Sequence, residues 1–220
     1  MSILVPLHIY PWTGVWNPLY TAAQAHPEVN FTVILNPCSG PCLNSKPEAP
    51  YVTEIPKLKT YSNIRTLWYV ATNYTSKSID QVAQEIYMYA TGRTINNNAK
   101  MTVEGIFFDG ILGLYDWRNY SYLTTAHNMV KGAKGLGQKL VVNKMHFDTL
   151  AQFQSVSSHP KSQPPVMAHS LPNVANTFLT CMVKQLEAMA DYFFVMNVNI
   201  KDPYWHGFTP LFGDLVEVVG

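Results

Sequence analysis

Asp109 closes the apolar stretch Val103-Glu104-Gly105-Ile106-Phe107-Phe108-Asp109 and is followed by Gly110. A run this short, bounded by glycines, suits a buried parallel strand rather than a helix. A carboxylate at the C-terminal tip of such a strand stands where α/β folds hold their sites. There it can act as base, acid or orienting acceptor; the alternative is that it caps the following turn. Glycoside hydrolysis usually needs two carboxyl groups about 5–9 Å apart, so the presence of a second acid decides the chemistry.

The other predicted strand ends carry His8 and Tyr10, Asn36, Tyr69, Asn143 with Lys144, His169 with Ser170, and Asn197. Alternation along a strand puts Gly105, Phe107 and Asp109 on one face of theirs, and by the same rule His8 and Tyr10 share a face of their own strand. His8 and His169 can move or donate protons beside Asp109. Tyr10, Trp12 and Tyr69 can wall a pocket, while Asn36, Asn143, Lys144 and Asn197 can hold a ligand. Each has a structural alternative. The histidines can be satisfied core residues, Asn36 before Pro37 a turn former, and Asn197 a partner for loop backbone. Lys144 reads as a snorkelling surface lysine rather than a Schiff-base one.

The chain has 14 acids. Glu28, Glu48, Glu54, Asp80, Glu85, Glu187, Asp214 and Glu217 fall in predicted helices or far loops. Glu104 lies near the start of its strand and Asp191 at the entry to its own. Asp109, Asp116, Asp148 and Asp202 remain near the proposed face, and only Asp109 is anchored on a strand.

These positions require an alternating framework. Apolar, β-branched segments predict strands at Ile3 to Tyr10, Phe31 to Asn36, Ile64 to Val70, Val103 to Asp109, Lys139 to Asn143, Val166 to His169 and Tyr192 to Asn197. A further short strand at Phe153 to Ser157 precedes a Pro-rich stretch with no room for a full helix. Between the strands, Asn17 and Pro18 suit a helix start. A weak helix spans Tyr51 to Tyr61. Ser78 and Gln81 suit a capping box ahead of Ile79, Val82, Ala83, Ile86, Tyr89 and Ala90 at helical spacing.

Further helices are expected over Ser121 to Ala133, with Phe178, Met182, Leu186 and Met189 on one face of the next, and from Thr209-Pro210 with Leu211, Leu215 and Val218 inward. Eight β-then-α units give an α/β fold of the (β/α)8 TIM type with a shortened sixth unit, as a single domain over residues 1–220. A doubly wound open sheet is the alternative. Gly135-Leu136-Gly137 precedes a strand, so it is no dinucleotide loop.

A formal net charge of +1 gives no reason to expect nucleic acid or an anionic membrane as partner. With 13% charged and 13% aromatic residues, the surface suits an aromatic-lined pocket, a partner chain or a sparsely charged globule. No apolar run is long enough to span a membrane, and self-association stays open. The three cysteines are an odd number, against a secreted disulfide framework. Cys38 and Cys42 are expected as free thiols in a turn, with a loop disulfide as the alternative. No Cys/His spacing suggests zinc, and no cofactor is expected. The N-terminus Met1-Ser2-Ile3-Leu4-Val5-Pro6 lacks a basic n-region, so a cytoplasmic protein is expected; secretion with a trimmed signal peptide is the alternative. Asn30, Asn73 and Asn119 match the N-glycosylation pattern, a match that chance supplies in an Asn-rich chain.

Several stretches together resemble the spherulin-4-like family. They are Pro6-Leu7-His8-Ile9-Tyr10-Pro11, Trp16-Asn17-Pro18-Leu19-Tyr20, Phe31 to Pro37 with Ser39-Gly40-Pro41, Gly105 to Asp109, Ala168-His169-Ser170-Leu171-Pro172 and Asp202-Pro203-Tyr204. The resemblance implies a (β/α)8 barrel like those of fungal glycosidases acting on N-acetylgalactosamine-containing polysaccharide. In that family the fourth strand ends in an Asp-Glu pair. Asp109 matches the Asp, while Gly110 replaces the Glu. The family also has a Glu at the end of its sixth strand, where this chain offers Ser157 and Ser158. Asn143-Lys144-Met145 replaces its usual Asn-Pro-Gly.

A glycosidase without its general acid loses a factor of about 100 to 10,000. The leading expectation is therefore a glycosidase-like barrel that isomerises, cyclises or dehydrates a small metabolite, with Asp109, His8 and His169 catalytic. A surviving glycosidase of aminosugar polymer is the second reading. A catalytically silent carbohydrate- or partner-binding protein is the third.

Overall fold

The computed structural model describes residues 1–42, 48–95, 98–112, 117–146, 166–168, 175–197 and 207–220. Within them the strands are β1 (Ser2–Leu7), β2 (Phe31–Leu35), β3 (Ile64–Ala71), β4 (Gly105–Leu112), β5 (Leu140–His146), β6 (Val166–Ala168) and β7 (Tyr192–Val195). The helices are α1 (Asn17–Ala25), α2 (Ala49–Leu58), α3 (Ile79–Ile95), α4 (Trp117–Gly132), α5 (Asn176–Met189) and α6 (Phe212–Val219), with a 3-10 turn at Ala99–Met101.

All described strands run parallel, in the order β5-β4-β3-β2-β1-β7-β6. Stepping from β1 to β5, and from β6 through β7 to β1, always moves the same way across the sheet. A doubly wound sheet reverses direction at its switch point, so that alternative is excluded. The expected sixth strand, Phe153 to Ser157, lies outside the described residues.

β1 and β2 are buried along their whole length, which explains their apolar run without alternation. The Ile3 amide donates to Asn30 at 2.8 Å on the β2 side and the Ser2 amide to Asp191 at 2.8 Å on the β7 side. By that alternation the Pro6 nitrogen faces the β7 side, above the last β1–β7 pair, Ile3 with Phe193. A missing N–H is harmless there. Gly105 is required where β4 meets β5, because a Cβ would come within 2.0 Å of the Leu140 carbonyl oxygen.

Several boundaries differ from expectation. Asn17 is not the cap of α1: Trp16 occupies that position, with no side-chain hydrogen bond. α4 begins at Trp117, a turn before the expected Ser121. α5 buries Leu179, Val183 and Leu186, while Phe178 is 56% exposed, so its inner face is rotated from the expected stripe. β4 continues past Asp109 to Leu112 across a register shift between Phe108 and Ile111. Cys38 and Cys42 form a disulfide rather than two free thiols. Their chain separation is short enough for the β2–α2 turn to bring the sulfurs together; Cys181 is free and exposed. The capping box is present: Ser78 Oγ accepts from the Gln81 amide and Gln81 Oε1 from the Ser78 amide, each at 3.2 Å.

Candidate active site

Two ring contacts decide which side of the sheet can hold a ligand. Trp68 stacks on Tyr89 of α3, centroids 4.7 Å apart, and Phe108 stacks on His127 of α4. The side carrying Trp68 and Phe108 therefore faces the helices. Tyr69, Phe107 and Asp109 project to the opposite side.

On that side the strand registers build a row. They pair Leu7 with Leu35, Leu35 with Trp68, and Trp68 with Ile106. One residue further on, His8, Asn36, Tyr69 and Phe107 line up across β1 to β4, with Asp109 one layer above Phe107. The contacts follow this order. Asn36 Nδ2 lies 3.2 Å from His8 Nδ1. The His8 ring meets Tyr69 edge-on, centroids 5.5 Å apart, and Tyr69 stacks against Phe107. The Tyr69 hydroxyl donates to Asp109 Oδ2 at 2.9 Å.

Asp109 is fixed at both oxygens, because the Gly110 amide donates to Oδ1 at 2.8 Å. Burial, and then the carboxylate beside it, push the Tyr69 hydroxyl far above its ordinary range, so it stays protonated and donating. The backbone under Asp109 is clamped in turn. The buried Thr72 hydroxyl donates to the Asp109 carbonyl at 3.0 Å and to that of Gly110 at 2.7 Å, and the Tyr74 amide reaches the Gly110 carbonyl at 2.6 Å. Gly110 has φ +71°, a conformation that glycine adopts without steric penalty. A second feature points to a ligand. Asn36 Oδ1 is buried and accepts no hydrogen bond among the described residues. A buried amide oxygen without a donor is unfavourable unless something arrives to satisfy it.

Beyond β1, Tyr10 packs against Trp12 with centroids 4.7 Å apart and edge-on to Tyr51. Its hydroxyl donates to Glu48, which raises its pKa. Glu48 is thus not on a far loop: it occupies the N-cap position of α2, without a side-chain cap hydrogen bond, and its carboxylate meets Tyr10. Trp12 is 66% exposed at this rim.

Other expected site residues lie elsewhere. Asn143 pairs with Phe108 in the sheet and so faces the helices, where its side chain meets His127 Nε2 at 3.0 and 3.1 Å. Asn197 Oδ1 accepts from the Thr209 hydroxyl at 2.9 Å, tying the end of β7 to the turn before α6. Lys144 belongs to β5, but its side chain lies outside the described residues, as do His169, Asp116, Asp148 and Asp202. Among the described residues no cluster of His, Cys, Asp and Glu could hold a metal ion. Sequence reasoning missed Phe107, which the alternation with Asp109 signals, and Thr72, for which no pattern speaks.

The arrangement can bind a neutral polyhydroxylated ligand. It offers a fixed carboxylate, a phenol donor, an imidazole, an unsatisfied amide oxygen and an aromatic floor, without net charge beyond Asp109. The spherulation-specific family 4 matches residues 2–145. The crystal structure of Aspergillus clavatus Sph3 in complex with GalNAc is similar at 34% identity, with a TM-score of 0.88, over 99% of this chain and 96% of that one. No curated protein matches.

Proposed function

This chain belongs to the spherulation-specific family 4, and on that footing we propose that it is a glycoside hydrolase of N-acetylgalactosamine-containing glycan. The observation that carries the reading is the full-length likeness to a protein crystallised with GalNAc. The unsatisfied Asn36 oxygen beside the His8–Tyr69–Asp109 chain supports it. Isomerisation, cyclisation or dehydration of a metabolite, the leading expectation from sequence, finds no support in these likenesses, and the glycosidase alternative fits better.

In this reading the parallel sheet belongs to a closed (β/α)8 barrel, with the row on its inner side. Asp109, held by Tyr69 and Gly110, presents its charge to the oxocarbenium character that develops at the anomeric carbon. His8 lies in the same row, its Nδ1 turned to the Asn36 amide, and helps to orient the sugar beside Asp109. Asn36 receives a donor from the sugar. The Cys38–Cys42 disulfide supports secretion into an oxidising compartment, the second expectation for location. No described helix is long and apolar enough to cross a membrane.

The test is release of reducing ends from an N-acetylgalactosamine polymer. The protein should release them, and Asp109→Asn should lower the rate by a factor of about 100 to 10,000. A protein that neither binds nor cuts such polymer refutes the reading. Gly110 in place of the family's glutamate favours one further outcome, a protein that binds the glycan without cutting it. Saturable binding with no new reducing ends would establish that reading instead.

A further inference from the structure

The end of the sheet that holds Asp109 carries a second aromatic surface, on the β4 side. Trp117 and Tyr120 open α4 and stack on each other, ring centroids 5.7 Å apart and planes 26° from parallel. They are 69% and 50% exposed. Large exposed aromatics set side by side mark a contact surface more often than scattered apolar residues do.

Two links join this surface to the site. The Tyr74 amide donates to the Gly110 carbonyl, next to Asp109. One residue on, the Thr75 hydroxyl donates to Asn119 Oδ1 at 2.7 Å, between the two rings in sequence. The segment Asn73 to Thr75 holds positive φ at all three residues, a tight turn that brings the end of β3 to α4.

The catalytic row therefore has an aromatic flank at each end. Tyr10 and Trp12 stand beyond β1, and Trp117 and Tyr120 beyond β4. Between β1 and β4 lie three inter-strand spacings of about 4.8 Å each, roughly 14 Å along the sheet. That span exceeds one sugar ring. The two rings are uncharged, and the row beside them carries the Asp109 carboxylate with Glu48 at its far end, which suits a neutral chain rather than a polyanion. The C–H face of a pyranose is apolar and slightly positive, and it lies well on the negative face of an aromatic ring.

Resting on the glycan reading above, we propose that Trp117 and Tyr120 form a distal sugar subsite. The ligand is then an oligosaccharide laid across the row from β1 to β4, not a single sugar. The rings contribute affinity for the chain and take no part in bond cleavage.

The test is calorimetric titration of the protein, its Asp109→Asn form, and the Trp117→Ala/Tyr120→Ala double variant on each background. The probes are N-acetylgalactosamine and a homo-oligomer of about six units. Because both rings are exposed, the double variant should melt with its parent. It should bind the oligomer about tenfold more weakly while keeping its affinity for the single sugar. Equal oligomer affinity with and without the rings overturns the subsite and leaves the glycan reading standing. Parallel loss of monomer and oligomer binding, with an unchanged melting temperature, also overturns it, since the rings would then belong to the central pocket. A parent protein that binds neither probe refutes the glycan reading and the subsite with it.

Discussion

At the scale of single residues, Gly110 is more than a missing acid. Its φ of +71° is the left-handed conformation, and a Cβ there would lie 3.4 Å from the Asn73 amide nitrogen. Its carbonyl is also held by Tyr74 and Thr72. A side chain at this position costs about 1–2 kcal/mol. Gly110→Glu should therefore destabilise the protein by that amount in urea unfolding, and should not by itself restore a family-like acid pair. A variant as stable as its parent would show that this backbone relaxes freely. Asp109 was legible in the sequence because an apolar run ended in one carboxylate. Asn143 was expected to hold a ligand at its strand end, and instead its side chain meets His127 on the helix side. Period-two alternation defines two faces but not which one meets the helices; only the pairing of Asn143 with Phe108 decides that.

Elements were read well where their ends carry local chemistry. The Ser78–Gln81 box satisfies two backbone amides, so Ser78→Ala should cost about 1 kcal/mol of unfolding free energy. Unchanged stability after that substitution would assign the start of α3 to packing alone. Elements were read poorly where two apolar stripes compete. On α5 the expected stripe of Phe178, Met182, Leu186 and Met189 competes with Leu179-Val183-Leu186 at helical spacing; Leu186 is buried as expected, but Leu179 and Val183 are buried in place of Phe178. α4 begins a turn early, at Trp117, with no acidic residue in its first turn to mark the start in the sequence.

For the whole molecule, the β-then-α alternation made a parallel sheet legible, while the choice between one winding direction and a reversal waited on the strand order. The meeting of Glu48 with Tyr10 was not legible, because it depends on how the start of α2 turns back toward β1. The stability of the entire fold should also respond to pH through His127. Burial lowers its pKa from the ordinary 6.5, the Asn143 hydrogen bond opposes this, and Lys131 adds to it. The unfolded chain then binds the proton more tightly than the folded one. Stability is complete above 6.5 and falls as the pH drops from there toward the lowered folded value. Melting temperatures measured across that window should decline, and His127→Gln should flatten the decline. A slope left intact by the substitution would place the titration elsewhere.

The pairing of Ser2 and Ile3 with Tyr192 and Phe193 has a consequence for biosynthesis. As the chain leaves the ribosome, β2, β3, β4 and β5 can each dock on the strand made just before. The other edge of β1 must wait for the last strand, and an open edge invites pairing with a stranger. Pro6 interrupts the N–H groups of that edge, so β1 is a poorer template for a wrong partner while β7 is still being translated.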